Sequence, residues 1–147
     1  MKALIQRVTK SSVNINEEIF SNINHGLLIL VGIHKSDTIK DIKYIVDKCI
    51  NLRIFSDKNG KFNYSAVDMK AELLVVSQFT LYADVSKGRR PSFFESATPS
   101  NAEKIYDETI EEFNKTGLNI ETGEFGAKMK IDLTNDGPVA ILLNSKL

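Results

Sequence analysis

Three apolar runs dominate the chain. Gly26-Leu27-Leu28-Ile29-Leu30-Val31-Gly32-Ile33 is continuous, which predicts a strand buried on both faces. Leu73-Leu74-Val75-Val76 lies within a second predicted strand, Glu72 to Gln78, and runs into Ser77-Gln78-Phe79-Thr80. The third, Ala140 to Leu143, follows Asn135-Asp136-Gly137-Pro138-Val139 and gives a last strand from Pro138 to Leu143. Around these, Lys2 to Val8 reads as a strand, and Ser12–Ile15 with Glu17–Phe20 as a hairpin turning near Asn16. Leu52 to Phe55 reads as a short strand before an Asp57-Lys58-Asn59-Gly60 turn, where Asn-Gly favours positive φ. Met129, Ile131 and Leu133 alternate with Lys128, Lys130 and Asp132, so one face of that strand should be wet.

Two segments switch to helical spacing. Ile42, Ile45, Val46, Cys49 and Ile50 predict an amphipathic helix over 38–51, with Asp37 and Thr38 available as N-caps. Ala102, Ile105, Tyr106, Thr109, Ile110 and Phe113 form a second stripe. Ser100 and Glu103 have capping-box spacing at its start, and Gly117 stops it. Residues 83–99 show no periodicity and contain Gly88, Pro91 and Pro99, an irregular loop long enough to suggest a function. The expected fold is a single α/β domain of layered β/β/α type, with mostly antiparallel sheet forming a barrel-like core and two amphipathic helices.

Composition narrows the function. A chain of 147 residues most simply makes one domain with a real core. Lys+Arg and Asp+Glu are both 19, so any nucleic-acid partner must be held by a local basic patch. The one cysteine, Cys49, allows no intrachain disulfide and falls on an apolar helix face, as core filler would. Polar residues come too early after Met1 for a signal peptide, and no apolar run reaches the roughly 18 residues of a membrane span. A cytoplasmic location is expected.

Conventional catalytic equipment is sparse. The two histidines, His25 and His34, have no second His or Cys at ligand spacing, so a zinc site is not expected. No other metal and no cofactor is expected either. Ser77 lacks the Gly-x-Ser-x-Gly elbow, and no Gly-rich nucleotide loop is present. The densest positive cluster is Lys87-Gly88-Arg89-Arg90-Pro91, followed by Phe93 and Phe94. Basic residues beside aromatics suit phosphate contact and base stacking, although they suit a solvated loop over core phenylalanines equally. With few acids or bases at hand, backbone groups become the candidate working parts. Amides near Phe79 and Thr80, if unpaired at a strand end, can stabilise an oxyanion.

The ordered motifs are specific. They are Met1-Lys2-Ala3-Leu4-Ile5-Gln6-Arg7-Val8, Asn51-Leu52-Arg53-Ile54-Phe55, Ser77 to Asp84, Lys87 to Pro91, Gly123-Glu124-Phe125-Gly126-Ala127 and Asn135 to Val139. Over essentially its whole length the chain resembles the D-aminoacyl-tRNA deacylases. The resemblance implies a homodimeric cytosolic hydrolase with aminoacyl-tRNA as partner. It would cleave the ester of D-aminoacyl-tRNA, and of glycine mischarged on tRNA, without a cofactor. It implies a cis Gly137-Pro138 bond whose carbonyls enter the partner subunit's pocket, bind the substrate α-amino group and exclude L side chains. Arg7 would brace that motif. Ser77, Gln78, Phe79 and Thr80 would form the catalytic floor, with water attack assisted by the terminal 2′-hydroxyl and the Phe79 and Thr80 amides holding the oxyanion. Phe125 and Gly126 would receive the terminal adenosine, and Lys87, Arg89 and Arg90 would contact tRNA. Two positions depart from the family: Ala140 stands where threonine is usual, and Lys2 where arginine is common. Two other readings stay open, a non-catalytic RNA-end binding module and a conventional Ser/Thr esterase with Thr80 as nucleophile.

Overall fold

The computed structural model describes residues 1–146. Its organising element is β1 (Lys2–Ile15), a strand of 14 residues. One edge of β1 pairs antiparallel along its length with β8 (Lys130–Asn144). The other edge is shared. Lys2–Val8 pair with β3 (Gly26–Gly32), and Ser11–Ile15 pair with β2 (Glu18–Ile23). The β1–β2 turn places Asn16 at φ 53° and Glu17 at φ 64°, the doubly left-handed geometry that joins antiparallel strands tightly. β3 then pairs in parallel with β6 (Glu72–Ser77), and β6 in parallel with β7 (Ile120–Thr122). The Ser21 hydroxyl of β2 donates to the Thr122 carbonyl of β7 at 2.6 Å, curling the sheet towards a barrel.

The continuous apolar runs are buried on both faces because two cores flank the sheet. Leu27, Ile29, Leu73 and Val75 pack in the larger core with helices α1 (Ile39–Asn51) and α3 (Pro99–Asn114). Leu28, Leu74 and Val76 point the other way, into a smaller core with Val8, Val13, Ile23, Met129 and Ile131. At Gly26 β3 and β6 leave no room for a side chain. A Cβ there would lie 1.8 Å from the Glu72 carbonyl oxygen.

Several expectations need correction. The first and last strands are each longer than their apolar patterns suggest. β1 continues past Val8, and β8 runs unbroken from Lys130 through Gly137-Pro138 to Asn144. The Leu52–Phe55 strand is displaced: β4 (Phe55–Ser56) pairs with β5 (Phe62–Tyr64). A one-turn helix, α2 (Ala66–Met69), capped by Ser65, was not foreseen, nor was β7. The Ser100–Glu103 capping box is not used, since Thr98 is the N-cap and Pro99 opens α3, where its missing N–H costs nothing. At α1 the cap is Thr38, whose N–H donates to Asp41 Oδ2 at 2.8 Å. Asp37 instead receives the Met1 ammonium at 2.6 Å.

Candidate active site

A cleft of about 610 Å³ opens where β3 and β6 end. Its walls include Ser77, Gln78 and Phe79 from the end of β6, Phe93 and Ser96 from the long loop, and Phe125 and Gly126 after β7. The fold thus gathers two of the sequence motifs, some 50 residues apart in the chain, at one place. After Gln78 the chain makes a single 3-10 turn, Phe79–Tyr82. The first amides of such a turn have no partner within it. Among the described residues neither the Phe79 nor the Thr80 N–H finds an acceptor elsewhere, and both residues are exposed. The Phe79 ring meets Phe93 edge-on at 4.9 Å, so Phe93 belongs to the cleft wall.

The Thr80 hydroxyl accepts from the Gln78 side-chain amide, which is a donor and not a base. Neither histidine contacts it. His34 is engaged with Glu95 at 2.8 Å and Ser36 at 2.9 Å, and His25 faces Asp136. Cys49 is fully buried and burial pushes its thiol far up, as core filler and not a nucleophile. Among the described residues no three His, Cys, Asp or Glu side chains converge as metal ligands. Among the described residues no helix is long and apolar enough to cross a membrane.

On the opposite wall, Phe125 stacks tilted against Tyr106 at 5.9 Å, and the Tyr106 hydroxyl donates to the Val75 carbonyl at 2.9 Å. Gly126 has φ 75°, and a Cβ on it would meet nothing, so this wall is open to a ligand. Lys87, Arg89 and Arg90 lie outside the cleft lining, on an exposed loop closed at its base by reciprocal Asp84–Ser92 backbone bonds of 2.8 and 2.9 Å. Phe94, unlike Phe93, is exposed, with Lys35 Nζ 3.8 Å from its ring centroid.

The Gly137-Pro138 motif sits elsewhere. Its peptide bond is cis and both residues are exposed. Val8 pairs with Asn135 and Gln6 with Ala140, so Arg7 alone faces Asp136–Val139. The strand bulges there, and Arg7 fills the gap that lost ladder bonds leave. Its Nε donates to the Asp136 carbonyl at 3.0 Å and its Nη1 to the Ile54 carbonyl at 2.7 Å. Its guanidinium also lies 3.6 Å from the Asp136 carboxylate, which His25 approaches from the other side at 3.6 Å. Arg7 is buried, unlike an ordinary surface charge. Arg7→Ala leaves two carbonyls without their donor and is expected to lower stability by about 2–4 kcal/mol, readable as an earlier thermal unfolding transition.

Gly137 is not among the residues that line the cleft of its own chain. Arg7 is level with Leu27 and Leu73, whereas Ser77 lies four residues further along β6. Three strand spacings also separate β8 from β6, through β1 and β3. Along the sheet this is on the order of 15–20 Å.

Sequence reasoning missed Ser96 and, for Asp136 inside the named Asn135–Val139 motif, its partners. Ser96 donates to the Phe79 carbonyl at 3.2 Å, and Asp136 links Arg7 with His25. In each case the partners are distant in the chain.

Comparison with known proteins gives a consistent picture. The D-Tyr-tRNA(Tyr) deacylase family model matches residues 4–144. A D-aminoacyl-tRNA deacylase of Clostridium botulinum is 52% identical over 145 residues, covering 99% of this chain and 97% of that protein. One from Thermosipho africanus is 53% identical over 146 residues, covering 99% and 98%. A solved structure described as a c-Myc DNA unwinding element binding protein is 42% identical, with a TM-score of 0.94 and 100% of both chains covered. A probable eukaryotic D-amino acid tRNA deacylase, 15% identical with a TM-score of 0.84 over 97% of each chain, shares the fold. With a cleft built from these motifs and a match along nearly its whole length, the chain belongs to the D-Tyr-tRNA(Tyr) deacylase family of ester hydrolases.

Proposed function

We propose that this protein deacylates D-aminoacyl-tRNA, and glycine mischarged on tRNA, by a backbone-driven mechanism in a homodimer. The observation that carries this reading is the pair of unpartnered amides at Phe79 and Thr80, at the mouth of a cleft with little acid–base equipment. Attack of water on the ester carbonyl builds negative charge on its oxygen. Two fixed N–H donors aimed at that oxygen stabilise the transition state more than the ground state. The terminal adenosine rests against Phe125 and Gly126, and its 2′-hydroxyl orients the water. Lys87, Arg89 and Arg90 supply local positive charge for the tRNA backbone, which a chain with no net charge needs.

Chirality is read by Gly137 and Pro138 of the partner subunit. Their carbonyls accept from the substrate ammonium, and the same backbone fills the space that an L side chain needs. A D side chain points away, and glycine has none to exclude. The exposure of the motif, its Arg7 brace and its absence from the lining of its own cleft support a cross-subunit arrangement.

Thr80→Ala tests the backbone mechanism, since it removes the hydroxyl and keeps the amide. The expected loss of kcat is at most about tenfold, whereas a nucleophilic threonine would lose about 10⁴-fold or more. Single-turnover deacylation of D-tyrosyl-tRNA measures the difference.

A further inference from the structure

The Phe79–Tyr82 turn belongs to no sheet, and side chains hold it. Its last residue, Tyr82, is buried between two groups. Lys2 Nζ lies 4.7 Å from the Tyr82 ring centroid, and the His34 ring lies 5.3 Å away at 57°. Lys2 Nζ also donates to the Leu81 carbonyl at 3.2 Å, so one ammonium touches both the ring and the backbone of the turn. His34 is fixed in its own right. Its ring nitrogens contact Glu95 and Ser36, and its backbone N–H donates to Asp37 Oδ2 at 2.7 Å. Beneath the turn is Gly32, where a Cβ would lie 3.0 Å from Leu81 Cβ and 3.1 Å from the Gln78 carbonyl oxygen. The turn therefore rests on bare backbone and is pinned from the sides.

The Tyr82 hydroxyl is buried with no hydrogen-bond partner among the described residues. Burial, with the charges of Asp37 and Asp41 added, pushes its phenol up, so it stays neutral. What the surroundings grip is the ring.

We infer that Tyr82, clamped by Lys2 and His34, is a positioning residue that holds the Phe79 and Thr80 amides where the oxyanion develops. Its effect on rate rests on the oxyanion role proposed for those amides. Donors stabilise a transition state only when they are fixed at the developing charge, and small displacements cost rate steeply. Substrate affinity comes from other walls of the cleft. Loosening the turn therefore lowers kcat and leaves KM nearly unchanged.

The experiment uses the full chain with Lys2→Met, Lys2→Arg, Tyr82→Phe and Tyr82→Leu. Deacylation of D-tyrosyl-tRNA is read as separate kcat and KM, beside backbone ¹⁵N order parameters of Phe79 and Thr80. The expected kcat falls about tenfold for Tyr82→Leu and about threefold for Lys2→Met, with KM within twofold. Lys2→Arg restores the rate, and Tyr82→Phe keeps it because the hydroxyl has no partner. Order parameters fall from about 0.85 to below about 0.6 in Lys2→Met and recover in Lys2→Arg. Should Tyr82→Leu fail to fold, the half-exposed Lys2 pair carries the test alone. Unchanged order parameters in Lys2→Met overturn the inference, as does a change confined to KM. A wild-type protein without deacylase activity refutes the proposed function instead, and the order parameters still decide whether the clamp exists.

Discussion

Gly137→Ala is expected to cut kcat/KM on D-tyrosyl-tRNA about 100-fold while the protein stays folded. Gly137 has φ 127°, a region that L side chains rarely adopt. An added Cβ would lie 2.9 Å from Val139 Cγ2 and 3.1 Å from Arg7 Nη2. The Val139 and Arg7 side chains must give way, and the strain of an L residue at this φ shifts the backbone with them. Arg7 is the one β1 residue facing Asp136–Val139, so the displacement falls on the segment proposed to enter the partner's cleft. Val139, at the rim of the larger core, is the one core residue touched, so the thermal transition should drop by only a few degrees. A variant with wild-type kcat/KM would show that the motif has no part in the reaction.

Gly26→Ala is expected to fail in a different way, by loss of the fold. The added Cβ would overlap the Glu72 backbone, with 1.8 Å to the carbonyl oxygen and 2.8 Å to the carbonyl carbon. Backbone cannot swing aside as the end of a flexible side chain can. The β3–β6 pairing that begins there joins both cores, so it must slip or separate. A loss of more than about 4 kcal/mol is expected, seen as insoluble expression or a transition lowered by roughly 10 °C or more. Gly60→Ala is the control. Its Cβ meets nothing, and its φ of 74° costs only about 1–2 kcal/mol.

Much of this fold is legible from pattern because its central strands are buried on both faces. β3 and β6 are continuous apolar runs between two cores, and α1 and α3 carry plain helical stripes. The long strands hide their length. β1 has Arg7, Thr9 and Lys10 at its middle, and β8 has Asn135 to Pro138, where a strand pattern should break. A bulge, not a chain break, absorbs those residues, and a side chain 129 residues away stands in for the ladder. α2 and β7, of 4 and 3 residues, are too short to carry a period.

The site was legible in a different measure. Ser77 to Thr80 and Phe125-Gly126 were named as motifs, and the sheet brings Ser77, Gln78, Phe79, Phe125 and Gly126 to one cleft. What no local pattern carried was the support. Tyr82 is held by Lys2 and His34, and Phe79 by Ser96, through contacts that only the folded chain creates. Lys87, Arg89 and Arg90 stand outside the cleft lining on their own exposed loop.

The most direct test of the account is hydrolysis of matched D- and L-tyrosyl-tRNA by the purified protein, followed over time at equal substrate concentration. Rapid release of tyrosine from the D ester, with the L ester decaying only at its spontaneous rate, is the predicted result. Equal release from both esters would contradict exclusion by Gly137 and Pro138, and release from neither would contradict deacylation by this cleft.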